Sequence, residues 1–146
     1  MPAPTSIHAT PARALDAARS AYWEDPLDSL AVAIDVHAGA RAQADRPLQA
    51  RALALQGLIS LHRGDLRGAF ALAADAEREA GNDDRAGAEL AALMTHLDFF
   101  SGSYAAALGH AEHAMQPIRR AKTRSVASPV RSASAIARSA WPRAAA

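Results

Sequence analysis

The sequence predicts an all-α fold, and three observations indicate it. Forty of the 146 residues are alanine, which has the highest helix propensity and little volume. Apolar residues recur at spacings of three and four, as on one face of a helix. Single glycines and prolines separate these stretches, and no stretch alternates with a period of two for long enough to predict a strand.

The first two predicted helices each begin with a capping residue followed by proline. Thr10-Pro11 starts the first helix, which should end near Trp23. Asp25-Pro26 starts the second, which should fade near Ala44. The residues expected on the buried face of the second helix are Leu27, Leu30, Ala31, Ile34 and Ala38.

The third and fourth helices are predicted on either side of a glycine turn. Pro47 opens the third helix, which should stop at Gly64. Asp65 caps the fourth, and Gly81 should end it in the left-handed conformation. Their apolar stripes are Leu48, Ala52, Leu55 and Ile59 in the third helix, and Leu66, Ala69, Phe70, Ala73, Ala76 and Ala80 in the fourth.

The fifth and sixth helices are predicted on either side of a second glycine turn. Asn82 is the predicted N-cap of the fifth helix, with Asp83 and Asp84 in its first turn, where the helix dipole favours acids. Gly102 should end the fifth helix, and Ser103 should cap the sixth. Their stripes are Leu90, Leu93, Met94, Leu97 and Phe100, then Tyr104, Ala107, Leu108, Ala111 and Met115, with the sixth helix ending near Pro117.

The predicted turns recur with a period of 38 or 39 residues. Gly64-Asp65-Leu66 and Gly102-Ser103-Tyr104 lie 38 residues apart, and an alanine and a large apolar residue follow each at the same spacing. The turn at Asp25-Pro26-Leu27 lies 39 residues before the first of them. The sequence therefore predicts three helical hairpins in a repeat, and an alanine-rich helical bundle with similar turns is the alternative.

These hairpins resemble the tetratricopeptide family, whose repeats combine a helical glycine, a Gly-Asp-Tyr-like turn and small residues after it. The matching residues are Gly57, Gly64, Asp65, Leu66, Ala69 and Ala76 in the middle hairpin, and Gly102, Ser103, Tyr104, Ala107 and Ala114 in the third. Thr95 departs from the pattern, as do Asp25, Leu30 and His37 in the first hairpin. Similarly lengthened repeats precede output domains in bacterial GGDEF diguanylate cyclases and LuxR-type regulators. The resemblance implies a short α-solenoid over residues 10–116, after a flexible leader at 1–9.

The resemblance also implies a concave groove, formed by the first helix of each hairpin, that binds a protein or peptide partner. The implied groove residues are Arg19, Tyr22, Arg51, Leu58, His62, Glu89, His96 and Phe99. Aromatic residues before the hairpin turns would either anchor a partner or plug the core. We favour the core for Trp23 and Phe100 and leave both interpretations open for Tyr22, His62 and Phe99.

The last hairpin has no successor to cover it. Its apolar residues Tyr104, Leu108, Ala111 and Met115 should therefore form a self-association face, and we expect a homodimer through it.

The residue inventory argues against the common catalytic sites. The chain has no cysteine, no phosphate-binding glycine loop, no nucleophile elbow and no Gly-Gly-Asp-Glu-Phe stretch. His110 and His113 could share a metal ion with His96, but no HExxH pattern accompanies them, and we interpret them as solvated. We expect a non-catalytic interaction or sensory module that needs no cofactor and no metal. With no secretory signal and no membrane-spanning run, the expected location is the cytoplasm.

The charge is divided unevenly along the chain. Residues 1–116 carry nine arginines and all fifteen acids, whereas residues 117–146 carry seven basic residues and no acid. We expect this serine-, arginine- and alanine-rich tail to be disordered. It is interpreted as a basic arm for nucleic acid or an anionic membrane, as a segment that folds back on residues 1–116, or as the product of a shifted reading frame. We favour the frameshift, in a truncated signalling protein without its output domain. A nucleic-acid-binding adaptor acting through the tail is the alternative function.

Overall fold

The computed structural model describes residues 9–139, without the side chains of Tyr104 and of residues 124–139. The described part of the chain is all-α, as predicted, and contains no strand. It contains six helices: α1 (Pro11–Ala21), α2 (Pro26–Ala42), α3 (Arg46–His62), α4 (Leu66–Ala80), α5 (Asp84–Ser101) and α6 (Tyr104–Ser139). The chain forms two compact units, Met1–Ala114 and Met115–Ala146, and the contacts described below lie in the first.

Side-chain oxygens cap the first five helices at their N-termini. Thr10 Oγ1 accepts a hydrogen bond from the Arg13 backbone at 3.4 Å, and aspartate Oδ1 atoms do the same for the next four helices. These aspartates are Asp25, Asp45, Asp65 and Asp83. The predicted cap at Asn82 is wrong by one residue, because it is the Asp83 carboxylate that accepts from Ala86 N, at 2.8 Å. These caps satisfy backbone donors that a helix cannot pair internally.

Three helix ends share one hydrogen-bond pattern. Asp45, Asp65 and Ser103 each donate a backbone N–H to the carbonyl five residues earlier, at 2.9, 2.9 and 2.7 Å. The residue before each donor has positive φ: 56° at Ala44, 88° at Gly64 and 82° at Gly102. This arrangement satisfies carbonyls that the last turn of a helix leaves open. Gly81 also has positive φ, but its ψ of −133° lies outside the left-handed helical region predicted for it.

Helix α3 is the centre of the first compact unit. It packs against α1, α2, α4 and α5, and eleven of its seventeen residues are buried. The largest apolar side chains that are fully buried in the core are Leu15, Leu55, Ile59, Leu93 and Leu97. Small residues bring the helices together: a Cβ added at Gly57 would lie 2.7 Å from Leu93 Cδ2, and Ala69 and Ala76 are fully buried in α4.

The buried face of α2 differs from the predicted one. Leu27 and Ile34 are exposed, and the buried residues are Ser29, Ala33, Val36 and Ala40. The smaller face allows a closer approach to α3, where Gln56 Nε2 donates to the Ala33 carbonyl at 3.3 Å. Apolar residues surround this helix on several sides, so their spacing alone did not identify the packed face.

The last helix extends beyond its predicted end. Helix α6 continues through Pro117 to Ser139, whereas the sequence predicted a disordered segment from residue 117 onward. Alanine and arginine favour the helical conformation even where no apolar face is formed, which explains the difference. Residues 140–146 of the predicted tail and residues 1–8 of the leader lie outside the described residues. Within the described residues, no helix combines the length and apolarity needed to cross a bilayer.

Candidate functional site

Side chains of α1, of the turn that follows it, and of α3 and α5 meet on one side of the first compact unit, and most of the predicted groove residues are among them. They form two groups. The arginine cluster consists of Asp16, Arg19, Arg51, Arg85 and Glu89. The aromatic cluster consists of Tyr22, Trp23, His62, His96, Phe99 and Phe100.

Arg51 of α3 is the centre of the arginine cluster. Its Nη2 donates to Asp16 Oδ1 of α1 at 2.6 Å, and its Nε donates to Glu89 Oε1 of α5 at 3.1 Å. Arg85 of α5 also contacts both carboxylates, at 2.5 Å to Asp16 Oδ1 and 3.3 Å to Glu89 Oε1. Arg19 Nη2 lies 3.1 Å from Glu89 Oε2. Three guanidinium groups thus share two carboxylates, which leaves the cluster with a net charge of +1.

The pairing in this cluster is incomplete. Arg19 Nε, Arg19 Nη2 and Glu89 Oε2 are buried without a hydrogen-bond partner among the described residues, because the contact between Arg19 and Glu89 lacks hydrogen-bond geometry. Burial lowers the pKa of the Arg19 guanidinium, and the charge of Glu89 offsets this only in part. Buried donors without acceptors destabilise a fold, so a further hydrogen-bond acceptor for Arg19 would stabilise this one.

The carboxylate of Asp16 is stabilised in its charged form. Burial raises the pKa of Asp16, but hydrogen bonds from Arg51 and Arg85 outweigh this effect and hold the pKa below its usual value of 3.8. The same ion pairs raise the pKa of Arg85 although burial lowers it. These ion pairs therefore favour the charged forms of Asp16 and Arg85 and join α1, α3 and α5 electrostatically.

His62 is the centre of the aromatic cluster. Its ring centroid lies 4.4 Å from that of Trp23, 5.6 Å from Tyr22, 5.8 Å from His96 and 6.4 Å from Phe100. Phe99 joins the cluster through Phe100, edge to face at 5.8 Å. Burial and the neighbouring His96 lower the pKa of His62, while the Leu58 backbone raises it to a smaller extent. A neutral imidazole at this position suits an apolar surface.

The exposed members of this cluster are not those expected from the sequence. Trp23 and Phe100 were expected to plug the core, but their side chains are 67% and 57% exposed. Tyr22 is buried instead, and burial raises its pKa. Leu58, a predicted groove residue, belongs to the core, as does Leu61 beside it. The sequence shows which helix a residue belongs to, but not how far the neighbouring helices cover it.

An apolar cleft of about 590 Å³ connects the aromatic cluster to the first turns of α6. Its lining has no acidic residue, lysine or arginine, and consists of Trp23, His62, Thr95, His96, Phe99, Phe100, Ala107, Leu108 and Ala111. Three predicted groove residues, His62, His96 and Phe99, therefore line the same cleft as two residues of the predicted self-association face, Leu108 and Ala111. Leu108 and Met115 are exposed, while the Tyr104 side chain lies outside the described residues.

Two side chains that organise this region were not identified from the sequence, and a third, His110, was interpreted as solvated although it pairs with Asp98. Asp16 and Arg85 complete the arginine cluster, and their spacings of three to Arg19 and four to Glu89 were the available signals. His110 Nδ1 and Asp98 Oδ2 are hydrogen-bonded at 2.6 Å and connect α5 to α6. In the described part of the chain, no three histidine or acidic side chains are close enough to hold a metal ion together.

Comparisons with models of known protein families, with curated proteins and with solved structures find no match.

Proposed function

We propose that residues 10–116 form a short α-solenoid of three tetratricopeptide-like hairpins. The repeat period supports this assignment, because structurally similar residues lie 38 positions apart. Gly64 and Gly102 have the same positive-φ conformation, and the hydrogen bonds around them join equivalent atoms. Arg51 and Glu89 belong to one cluster, and His62 and Phe100 belong to the other, at the same separation of 38.

The module acts by binding a peptide or a partner helix in the groove formed by α1, α3 and α5, without catalysis. The observation that supports this best is the exposure of large apolar side chains around a single cleft: Trp23, Phe99, Phe100 and Leu108. Contiguous apolar patches of this kind mark interaction sites on soluble proteins, and aromatic side chains contribute strongly to binding. If the aromatic side chains only filled the core, they would be buried.

Substitution of Phe99 tests the proposal. Random twelve-residue peptides displayed on phage should be enriched on the wild-type protein, and Phe99→Ser should weaken the binding of the selected peptides by tenfold or more, since truncating a central aromatic anchor removes about 1.4 kcal/mol or more. Leu27→Ser on α2 is the matched control, because Leu27 is 63% exposed and Phe99 is 58% exposed. Equal loss in the two variants, or enrichment of no peptide, would contradict the proposal.

A homodimer is the second candidate, favoured by the exposure of Leu108 at the edge of the same cleft. Two copies pairing through a surface without acidic residues, lysine or arginine would meet no strong charge repulsion. Sedimentation equilibrium should then show a dimer that Leu108→Ser shifts toward monomer. A monomer at every concentration up to 100-fold above that used for peptide binding would exclude this role.

A further inference from the structure

We infer that the groove binds an extended segment of a partner protein that pairs an acidic side chain with the arginine cluster and places an apolar side chain, about five residues away, against the aromatic cluster. This inference rests on the proposed function and specifies the chemistry of the ligand. It follows from the charge of the groove, from the distance between the two clusters and from the composition of the chain ends.

The arginine cluster has a net positive charge, whereas the rest of residues 1–116 has a net negative one. Three of the nine arginines in residues 1–116 belong to the arginine cluster, with two of the fifteen acids. The six remaining arginines and thirteen remaining acids give the rest of this part of the chain a charge of −7. Within residues 1–116, an acidic ligand is therefore attracted to the groove and repelled by the remaining charge, which favours its encounter with the groove over the rest of this part of the chain.

The arginine cluster can also accommodate another carboxylate. Arg85 lies at its outer side with a side chain 58% exposed, above the buried Arg51. Arg19 adds positive charge behind Arg85, although its Nε and Nη2, which have no hydrogen-bond partner among the described residues, are buried. A carboxylate entering beside Arg85 would bring two acceptor oxygens to a group in which guanidinium donors outnumber carboxylates.

The distance between the clusters sets the spacing in the ligand. Arg51 and His62 are eleven residues apart on α3, and Glu89 and Phe100 are eleven residues apart on α5. At a rise of about 1.5 Å per residue, each pair spans about 16 Å along its helix. An extended chain covers that distance in about five residues. Because Arg51 and Glu89 are recessed, with side chains 7% and 12% exposed, a narrow extended segment suits the site better than a helix.

Residues 1–9 and 117–146 do not have the composition inferred for the ligand. Residues 1–9 contain no acid, and residues 117–146 contain seven basic residues and no acid. Neither segment contains an aspartate or glutamate side chain, and the basic one would be repelled by the cluster. Neither of these two segments is therefore the acidic segment that we infer as the ligand.

Peptide selection on two arginine variants tests the inference. Phage displaying random twelve-residue peptides would be selected on wild type, on Arg85→Gln and on Arg78→Gln. Arg78 of α4 is the matched control, because its side chain is 69% exposed and it pairs with Asp75 away from the groove. On wild type and Arg78→Gln, aspartate or glutamate should be enriched about five positions from an apolar anchor. On Arg85→Gln, the anchor should persist and the acidic enrichment should disappear.

The affinity of the selected consensus peptide provides the second measurement. Replacing its acidic residue by the corresponding amide should weaken binding to wild type about tenfold by fluorescence anisotropy, and the difference should shrink in 1 M salt. Arg19→Gln should reproduce the effect of Arg85→Gln, and circular dichroism would verify that both variants are folded.

The outcomes separate the inference from the proposed function. Peptides with an apolar anchor but no acidic preference, with the acid eleven positions away, or with a preference that survives Arg85→Gln would overturn the inference and leave the interaction module standing. If no peptide is enriched on the wild-type protein, the inference and the proposed function both fail.

Discussion

At the scale of single residues, Ala44 holds a conformation that its side chain disfavours. Its φ of 56° lies in the left-handed region, where Gly64 and Gly102 stand at the equivalent positions of two other helix ends. In that region the Cβ of a non-glycine residue crowds the backbone, which costs about 1–2 kcal/mol in conformational energy. Yet the Asp45 N–H reaches the Ala40 carbonyl at 2.9 Å, so the surrounding hydrogen bonds impose the turn on alanine.

Ala44→Gly should therefore stabilise the protein. The strain it relieves exceeds the extra backbone entropy that glycine loses on folding, and we expect a gain of about 0.5–1 kcal/mol in the free energy of unfolding, measured by urea denaturation. Gly64→Ala, at the same position of the hairpin turn, should decrease the free energy of unfolding by about 1 kcal/mol. A decrease in stability on Ala44→Gly would show that the side chain of Ala44 contributes more than its conformation costs.

At the scale of elements, the local sequence determines where the helices begin. It does not determine which side of a helix its neighbours cover. The caps at Thr10, Asp25 and Asp65 are local, because a side-chain oxygen binds a backbone N–H three residues ahead, and such signals predicted the helix starts. The packed face of α2 depends instead on which side approaches α3 most closely, so that Leu27 and Ile34 are exposed. How closely two helices approach depends on the side chains of both, so the sequence of either helix alone contains only a weak signal of it.

In the candidate site, too, the sequence predicted which residues lie together but not how exposed they are. The repeat resemblance placed Arg19, Arg51 and Glu89 in one groove, and the structure brings them into one ion-paired cluster. The exposure of Trp23 and Phe100 was not predictable, because it depends on how much of each ring the neighbouring helices leave uncovered. Whether the groove binds a partner stays a prediction, which the peptide selections address.

Gly57 provides a test of close packing between elements. A Cβ at this position would lie 2.7 Å from Leu93 Cδ2 and 3.5 Å from the Ala69 carbonyl, and a β-branched side chain would extend further into α4 and α5. Gly57→Val should reduce the free energy of unfolding by about 2 kcal/mol in urea denaturation. Gly39→Ala on α2 is the control: no atom lies within 4 Å of the added Cβ, so it should stabilise by about 0.5–1 kcal/mol. Similar effects of the two substitutions would exclude tight packing at Gly57.

At the scale of the whole molecule, the aromatic cluster couples folding to pH through His62. Burial and the neighbouring His96 lower the pKa of His62 in the fold. The unfolded chain keeps an ordinary histidine pKa of about 6.5, so between the folded and unfolded pKa values the unfolded state binds more protons. The free energy of unfolding should therefore be unaffected by this group above about pH 6.5, and should decrease as the pH falls from there toward the folded pKa. Tyr22 and His96 are the titratable groups that face His62 within the aromatic cluster.

His62→Gln should flatten this dependence. Urea denaturation at steps from pH 7.5 to 5 should show a smaller loss of stability on acidification in the variant than in wild type, because glutamine carries no proton to be taken up on unfolding. His113→Gln, on an exposed position of α6, should retain the wild-type slope. If the wild-type and His62→Gln curves remain parallel over this range, His62 is not held neutral by the fold. The apolar surface proposed for partner binding would then carry a positive charge in mildly acidic solution, and an acidic ligand would be attracted to the aromatic cluster as well as to the arginine cluster.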